Sequence, residues 1–301
     1  MIVATSSWGV VLALAMAFCW AGTGVALRGV PVRLDVLLVT GLRALVGMLA
    51  TVLLVLLAGR IQEYRLLTAR QVFFLLASAV AGGVVADVLY LSSLRLLGMN
   101  RCFPIVNSYP LFTVAYSAVL LGERITWRTL TGAALVFLGV YLVARPKDES
   151  RGPSGAALGL GRLAGGVGMA VATAACYGIE AILISLGAIE VNSAVANSVR
   201  VPLVALIALP LAALRGACAE LRQMTWRAWI PLAAAGAIGW GLAGTLWVAA
   251  VKAIGPGRAA IIGSTAPLFA VPLSMVILKE RPTRLTLLGT ALTIVGIILV
   301  T

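Results

Sequence analysis

Four charged side chains lie inside long apolar runs of this sequence, and they are the first candidates for chemistry. Two are arginines, Arg43 and Arg200, and two are carboxylates, Asp87 and Glu180. A charge at the centre of a membrane helix costs about 2.5–3.5 kcal/mol on insertion scales, so each requires a partner or a function. Because the sequence has no histidine, Asp87 and Glu180 are the side chains in such runs that we expect to exchange protons near neutral pH.

Each of these charges has two interpretations. The carboxylates either carry protons or bind an amine group, or they form salt bridges with Arg43 or Arg200 that assist folding. The arginines either contact a solute or bond carbonyls or a carboxylate within the fold. The residues alone leave both interpretations open.

The composition indicates that the surroundings of these charges are a membrane. Of the 301 residues, 61% are hydrophobic and 11% are charged, and the mean hydropathy is +1.08. Too little polar surface remains to face water, so we predict an all-α integral membrane protein. The net charge of +13 is spread in small groups between apolar runs, which favours headgroup contacts and argues against a nucleic-acid partner.

The sequence offers no pattern for a metal, a cofactor or a common catalytic design. Cys19, Cys102, Cys176 and Cys218 form no CxxC pair, so neither a zinc site nor a disulfide framework is expected. GxSxG, HExxH and Walker A sequences are absent, and we therefore do not expect an enzyme. The first apolar run lacks a basic start and exceeds signal-peptide length, so we expect a retained span.

Apolar runs between charged breaks predict ten transmembrane helices, each of roughly 20 residues. A polar, glycine-rich segment, 145–162, separates them into two groups of five, 1–144 and 163–301. The predicted spans are 8–27, 35–58, 70–96, 101–121, 127–144, 163–187, 194–214, 228–251, 258–278 and 284–301.

The two groups are copies of one another. Residues 89–143 align with 246–300 at a constant offset of 157, with 22 identities in 55 positions and no gap. The same offset relates Arg43 to Arg200, whereas Asp87 and Glu180 have no charged mates. We interpret this as an internal duplication. Since each copy has five spans, the second copy enters the membrane upside down, which predicts two inverted five-helix repeats with a site near the midplane.

Repeated prolines mark candidate site positions near the middle of spans four and nine. Pro110 and Pro267 each remove a backbone donor and disturb the preceding turn. Polar residues precede both prolines, and they either bind a solute or bond back to their own kinked helix. These candidates are Asn107, Ser108 and Tyr109 in the first copy and Ser264 and Thr265 in the second.

Aromatic residues supply a second set of candidates. Trp20 and Tyr177 are repeat mates, as are Tyr90 and Trp247, and Tyr109 precedes the first proline. Their rings either line a cavity for an amphipathic solute or serve as packing residues and interfacial anchors.

The order of these features resembles the EamA branch of the drug/metabolite transporter superfamily. The resemblance covers essentially the whole chain and rests on the five-plus-five duplication, on "CWAGTG" and "GLRAL", and on the proline followed by "LGER" or "LKER". It implies a ten-helix transporter of small metabolites. Gly132 and Gly139 in span five, like their mates Gly289 and Gly296 in span ten, give each helix a groove of small residues that either allows close packing or forms a gate. A further resemblance, to small multidrug-resistance transporters, implies that spans five and ten pack together.

We therefore predict a secondary transporter in the cell inner membrane that works by alternating access. Its substrate would be a small polar or amphipathic metabolite such as an amino acid, with export favoured by resemblance and protons as a candidate coupling ion. The alternatives are a passive channel or facilitator, a carrier of sugar phosphates, nucleotide sugars or drugs, and, less favoured, a membrane-embedded enzyme. For orientation, the count of basic residues favours outside termini, whereas the resemblance implies inside termini.

Overall fold

The computed structural model describes residues 7–27, 34–144, 160–269 and 284–300, and these residues form a helical protein. Two 3₁₀ helices, Ile61–Leu66 and Ala217–Gln223, and two π-helical segments, Ala79–Ala86 and Ala235–Ala243, join the α-helices. The α-helices are α1 (Ser7–Leu27), α2 (Val36–Leu57), α3 (Ala69–Ser78), α4 (Asp87–Leu97), α5 (Met99–Val106), α6 (Tyr109–Leu121), α7 (Trp127–Ala144), α8 (Leu160–Gly187), α9 (Ser193–Leu214), α10 (Trp226–Ala234), α11 (Gly244–Ile254), α12 (Pro256–Gly263) and α13 (Arg284–Val300).

The helix lengths and composition fit a membrane protein. Within the described ranges, five helical stretches are long and apolar enough to cross a bilayer: Val36–Leu57, Ala69–Leu97, Gly161–Gly187, Ser193–Leu214 and Ala228–Ile254. Shorter apolar helices are Ser7–Thr23, Tyr109–Leu121, Trp127–Leu142 and Leu287–Val300. The predicted all-α membrane class is confirmed, while the number of ten spans stays a prediction. Residues 145–159 of the predicted linker lie outside the described part of the chain.

Helix α2 and its repeat mate α9 begin with matching side-chain caps. Asp35 accepts from the backbone N–H groups of Leu37 and Leu38 at the start of α2. Asn192, the mate of Asp35, accepts from the N–H of Ala194 at the start of α9. Such caps satisfy amide donors that the first helical turn leaves unpaired. The duplicated caps therefore fix where both helices begin.

The predicted fourth span is divided in the structure. Helix α5 ends at Val106, a turn covers Asn107 and Ser108, and α6 begins at Tyr109 with Pro110 in its first turn. In the second copy α12 ends at Gly263, and a turn covers Ser264 and Thr265. Proline has no N–H for the helical ladder but fits the first turn of a helix, so a new helix begins there.

The third span of each copy contains a π-helical segment that the sequence pattern did not reveal. Ala79–Ala86 joins α3 to α4, and Ala235–Ala243 joins α10 to α11. These segments are repeat mates within one residue. A π-helix bonds each N–H to the carbonyl five residues earlier, and such segments are frequent at functional sites.

Glycines allow close packing of α7 against α13, as expected for the fifth and tenth predicted spans. A Cβ built on Gly132 would lie 2.7 Å from the carbonyl oxygen of Gly296, and one on Gly296 would lie 2.7 Å from that of Gly132. A Cβ on Gly139 would lie 2.5 Å from the carbonyl oxygen of Gly289. Small residues let two helix backbones approach in lipid, where hydrophobic driving force is weak. The expected pairing is confirmed.

The centre of the protein is built by helices from both copies. Helix α2 packs along α9, where Leu209 fills the space beside Gly41. Helix α2 also contacts the second π-helical segment, because a Cβ on Gly47 would fall on Trp240. In the mirrored position, Val204 of α9 fills the space beside Gly83 of the first π-helical segment. Glycines thus bring the two π-helical segments and the two second helices together.

Candidate functional site

The second arginine is the centre of a polar group that we call the Glu180 cluster: Glu180, Arg200, Ser78 and Asn197. Arg200 donates through Nη2 to Glu180 Oε1, in a short ion pair between α9 and α8. Its Nε donates to Ser78 Oγ at 2.7 Å, and its Nη1 lies 3.3 Å from Asn197 Oδ1. Ser78 belongs to the first copy and the other three to the second, so this cluster joins the two copies.

The first arginine forms a smaller group, the Asp87 cluster, with Asp87 and Thr40. Nη1 of Arg43 lies 3.4 Å from both carboxylate oxygens of Asp87, and the Thr40 hydroxyl donates to Oδ2. The guanidinium also lies over the Trp240 ring, with its central carbon 5.9 Å from the ring centroid. This distance is within the range of a cation–π interaction. All three cluster members are buried.

The first π-helical segment positions both carboxylates. Asp87 follows directly after it, at the start of α4. A Cβ built on Gly82, inside the segment, would fall on the carboxyl group of Glu180. Any side chain at residue 82 would therefore displace this carboxyl group. The glycine and the wider helix together leave the space in which the Glu180–Arg200 pair is made.

At the repeat-related positions, neutral residues take the place of both carboxylates. Gly239, the mate of Gly82, faces Thr23, the mate of Glu180, and a Cβ there would lie 3.0 Å from Thr23 Cγ2. The Thr23 hydroxyl donates to its own helix, at Trp20 O. Gly244 replaces Asp87 in the second copy, and its missing side chain leaves room for the Asn197 amide. The contact of a glycine in the π-helical segment with α8 therefore involves a charged residue, Glu180, whereas the repeat-related contact with α1 involves a neutral one, Thr23.

Both salt bridges of the structural interpretation are present. Arg43 pairs with Asp87, and Arg200 pairs with Glu180. A buried pair is strongly destabilising when one partner is removed, but it is weak evidence of net stability when intact. Pairing therefore accounts for how the charges are tolerated in apolar surroundings. A transport role for the same carboxylates is compatible with it, because a salt bridge can exchange partners.

The polar residues beside the prolines mostly bond to their own helices. The hydroxyls of Ser108, Ser264 and Thr265 donate to the carbonyls three residues earlier, at 2.6–2.7 Å. Tyr109 differs, because its hydroxyl donates across the copies to Ala260 O at 3.0 Å. Asn107 lies in the turn between α5 and α6, and Pro267 lies beyond the turn after α12. Tyr109 therefore links the two helix breaks directly.

The aromatic candidates form two groups. The rings of Trp20 and Trp247 lie 5.9 Å apart, and those of Tyr109 and Tyr177 lie 6.2 Å apart and nearly perpendicular. Tyr90 and Tyr177 both pack on the core around Val106. Trp247 and Tyr109 are almost fully buried. Each group contains residues of both copies, so the aromatic rings lie where the copies meet.

Three polar members of the clusters were not selected from the sequence: Thr40, Ser78 and Asn197. A signal for two of them was present, because Thr40 lies three residues before Arg43 and Asn197 three residues before Arg200. Residues at this spacing share a helix face, and the pair is duplicated. Ser78 carries no such signal, since its mate is Ala235. Within the described residues, no group of three or more His, Cys, Asp or Glu side chains is placed to hold a metal.

These features define a multi-pass helical membrane protein made of two related copies, with charges at their junction. A model described as the EamA-like transporter family matches the chain twice, at residues 7–145 and 164–301. The chain belongs to this EamA-like transporter family. Membership places it among membrane transporters rather than enzymes, as predicted.

Two similar proteins support the family and the fold at different levels. An uncharacterized transporter of Archaeoglobus fulgidus is 28% identical over 145 residues, 48% of this chain and 51% of that protein. The chain thus spans about half the length of the curated relative it matches. A solved structure described only as "Crystal structure of protein" has a TM-score of 0.77 and 19% identity, with 98% of each chain covered. At that identity the likeness shows the fold alone.

Proposed function

We propose that this protein is a secondary active transporter that exports small polar or amphipathic metabolites, such as amino acids, across the cell inner membrane. Alternating access would arise from two inverted five-helix repeats, 1–144 and 163–301, joined by the linker 145–162. The ten predicted spans would place the repeats in opposite orientations, so that one rearrangement exchanges the two membrane faces.

The observation that carries this proposal is the Glu180 cluster at the junction of the two copies. Arg200 bonds Glu180 and Asn197 of its own copy and Ser78 of the other. Of these bonds, the one to Ser78 crosses between the copies, so a movement of one repeat against the other must change it. Protonation of Glu180, or its binding to an amine of the substrate, would release Arg200 and so favour that movement.

The remaining site residues form the proposed cavity around this cluster. Trp20 and Trp247 on one side and Tyr90, Tyr109 and Tyr177 on the other would enclose the apolar part of a solute. The breaks at Pro110 and Pro267, with Asn107, Ser108, Ser264 and Thr265, would allow the helices to bend between states. The Arg43–Asp87 ion pair would stabilise the first repeat beside this cavity.

Counterflow in liposomes tests the proposal. Purified protein would be reconstituted and loaded with unlabelled solute, and uptake of labelled amino acids and other metabolites would be followed with and without a pH gradient. We expect saturable counterflow for at least one solute and accumulation that follows the gradient. Flux that neither saturates nor shows counterflow would support a passive channel instead.

A further inference from the structure

In each copy, a glutamate of the short 3₁₀ helix accepts a hydrogen bond from a backbone N–H of the other copy. Glu63 lies in the first 3₁₀ helix, and its Oε2 accepts from the backbone N–H of Asn192 at 3.3 Å. Glu220 lies in the second 3₁₀ helix, and its Oε2 accepts from the N–H of Asp35 at 2.6 Å. Glu63 and Glu220 are repeat mates, and so are Asn192 and Asp35. The contact is therefore reciprocal between the copies.

At each of these points a basic residue bonds the carbonyl of the same peptide group whose N–H donates to the glutamate. Lys252 donates to the carbonyl of Val191, and its mate Arg95 donates to the carbonyl of Leu34, the mate of Val191. These bonds lie within one copy, whereas the glutamate bonds cross between copies. Movement of one copy against the other would break the glutamate bond and leave the basic residue in place.

We propose that Glu63 and Glu220 are paired latches at the two ends of the transport pathway, both closed in this structure and opened one at a time during transport. This inference rests on the inverted-repeat arrangement of the proposed function, in which α2 and α9 begin at opposite membrane faces. The Glu63 contact then closes one face and the Glu220 contact the other. Breaking either bond favours the state that is open at that face and closed at the opposite one.

The chemistry of the contacts suits a latch. A carboxylate that accepts from an amide at a helix N-terminus makes a charge-assisted bond, favoured by the helix dipole. Both glutamate side chains are only half-buried, so water can replace the amide when the bond opens. Loss of one charged hydrogen bond shifts a two-state equilibrium by about tenfold or more. A shift of this size makes one of the two open states predominate while the other stays populated.

The two ends are not equal in their additional contacts. Beside Glu63, Tyr64 bonds the Ser198 hydroxyl at 2.5 Å and Gln71 donates to Ile189 O at 2.8 Å, both across the copies. The corresponding positions of Tyr64 and Ser198 are Leu221 and Gly41, which have no polar side-chain atoms. The Glu220 end has instead an ion pair across the copies, with Arg215 Nη1 4.0 Å from Asp35 Oδ2, but the Arg215 side chain is exposed and such a pair contributes little. We expect Glu63→Ala to act less strongly than Glu220→Ala.

Hydrogen exchange measured by mass spectrometry on the full protein in lipid nanodiscs tests the latches. In Glu220→Ala, backbone amides of 34–40 should exchange about tenfold faster and those of 188–196 more slowly than in the unaltered protein. In Glu63→Ala the two effects should exchange places. The double variant should bring the balance between the ends back toward that of the unaltered protein. The slowing at the distant end is the diagnostic result, because a purely local contact would not cause it.

Matched variants separate the latch from general charge loss. Glu63→Gln and Glu220→Gln keep an acceptor oxygen and should show the same changes at smaller amplitude. Arg65→Ala and Arg222→Ala remove exposed, repeat-related charges from the same 3₁₀ helices and should leave the distant end unchanged. Faster exchange confined to the altered end, or faster exchange at both ends, would overturn the proposal.

The result is independent of finding a substrate. Reciprocal exchange in a protein without counterflow for any solute would support the latches and count against the proposed transport. Counterflow without reciprocal exchange would support the proposed transport and overturn the latches.

Discussion

The two copies hold their buried arginines differently, although Arg43 and Arg200 are repeat mates. Arg200 donates from three nitrogens to three acceptors, whereas Arg43 lies 3.4 Å from Asp87 and its Nε has no partner within the described residues. For Nε the cause is one hydroxyl, since Ser78 bonds Arg200 Nε and its mate Ala235 has none to offer Arg43. Duplication preserved the arginines, and later divergence left one of them hydrogen-bonded across the copies and the other in contact with the opposite copy through the Trp240 ring.

The largest effect should come from removing the charge that we assign to coupling. Glu180→Gln keeps the size of the side chain and an acceptor for Arg200 but cannot take up a proton. We expect accumulation driven by a pH gradient to be lost while counterflow at equal pH remains. Asp87→Asn, the matched change in the other cluster, should retain gradient-driven accumulation. Unchanged transport and pH dependence in Glu180→Gln would remove this residue from the mechanism.

Removing the arginine should destabilise the protein more in the Glu180 cluster than in the Asp87 cluster. Arg200→Met leaves Glu180 buried without its partner and should lower the free energy of unfolding by about 3–5 kcal/mol. Arg43→Met should cost less, because its bonds are longer and Asp87 keeps the Thr40 hydroxyl. Denaturant unfolding in detergent measures both. Adding Glu180→Gln to Arg200→Met should recover part of the loss, and equal losses for both single variants would contradict the comparison.

The glycines opposite residue 23 and residue 180 offer a smaller test. Gly82→Ala places a methyl group on the Glu180 carboxyl group and should cost about 1–3 kcal/mol by overpacking. In Gly239→Ala the tightest contact of the new methyl group would be Thr23 Cγ2, at 3.0 Å, and a shift of a few tenths of an ångström by Thr23 would relieve it. We expect transport and its pH dependence to change in Gly82→Ala alone. Thermal unfolding of both variants shows whether folding is retained, and equal effects would mean that Glu180 does not depend on this space.

Exchanging the serine and alanine should change stability in opposite directions, by no more than Gly82→Ala for Ser78→Ala and by the smallest amount for Ala235→Ser. Ser78→Ala leaves Arg200 Nε without its acceptor and should cost about 1–3 kcal/mol. Ala235→Ser offers a hydroxyl to Arg43 Nε and should stabilise by about 0.5–1.5 kcal/mol. Unfolding of the two single variants and the double variant measures this. If Ala235→Ser destabilises the protein, the unpaired Nε of Arg43 has another cause.

The sequence predicted the class and the duplicated design because those depend on composition and register. An apolar fraction of 61% requires a membrane, and a constant offset of 157 through loops requires a duplication. The ion pairs were predicted as one of two interpretations, because a buried charge needs an opposite charge and the chain offers few. Which arginine pairs with which carboxylate depends on packing between copies, and residue spacing does not carry that information.

The π-helical segments and the role of Ser78 could not be predicted from the sequence, for a different reason. A π-helical turn differs from an α-helical one by a single residue, and in a run as apolar as "AVAGGVVA" every residue is compatible with both. Only Gly82, through its contact with Glu180, shows why the wider turn matters. Ser78 has no distinctive neighbours in the sequence, and its role follows from an arginine 122 residues away.

The two π-helical segments also record an order of events. Because they lie at matching positions in both copies, the wider turn was present before the ancestral gene was duplicated. Glu180 and Asp87, each found in one copy only, were acquired or lost afterwards. Under the proposed inverted-repeat arrangement, two separate copies in opposite orientations, each with this irregular segment already in place, would have formed a symmetric dimer. Fusion into one polypeptide allowed the halves to differ, and the unequal carboxylates are the result.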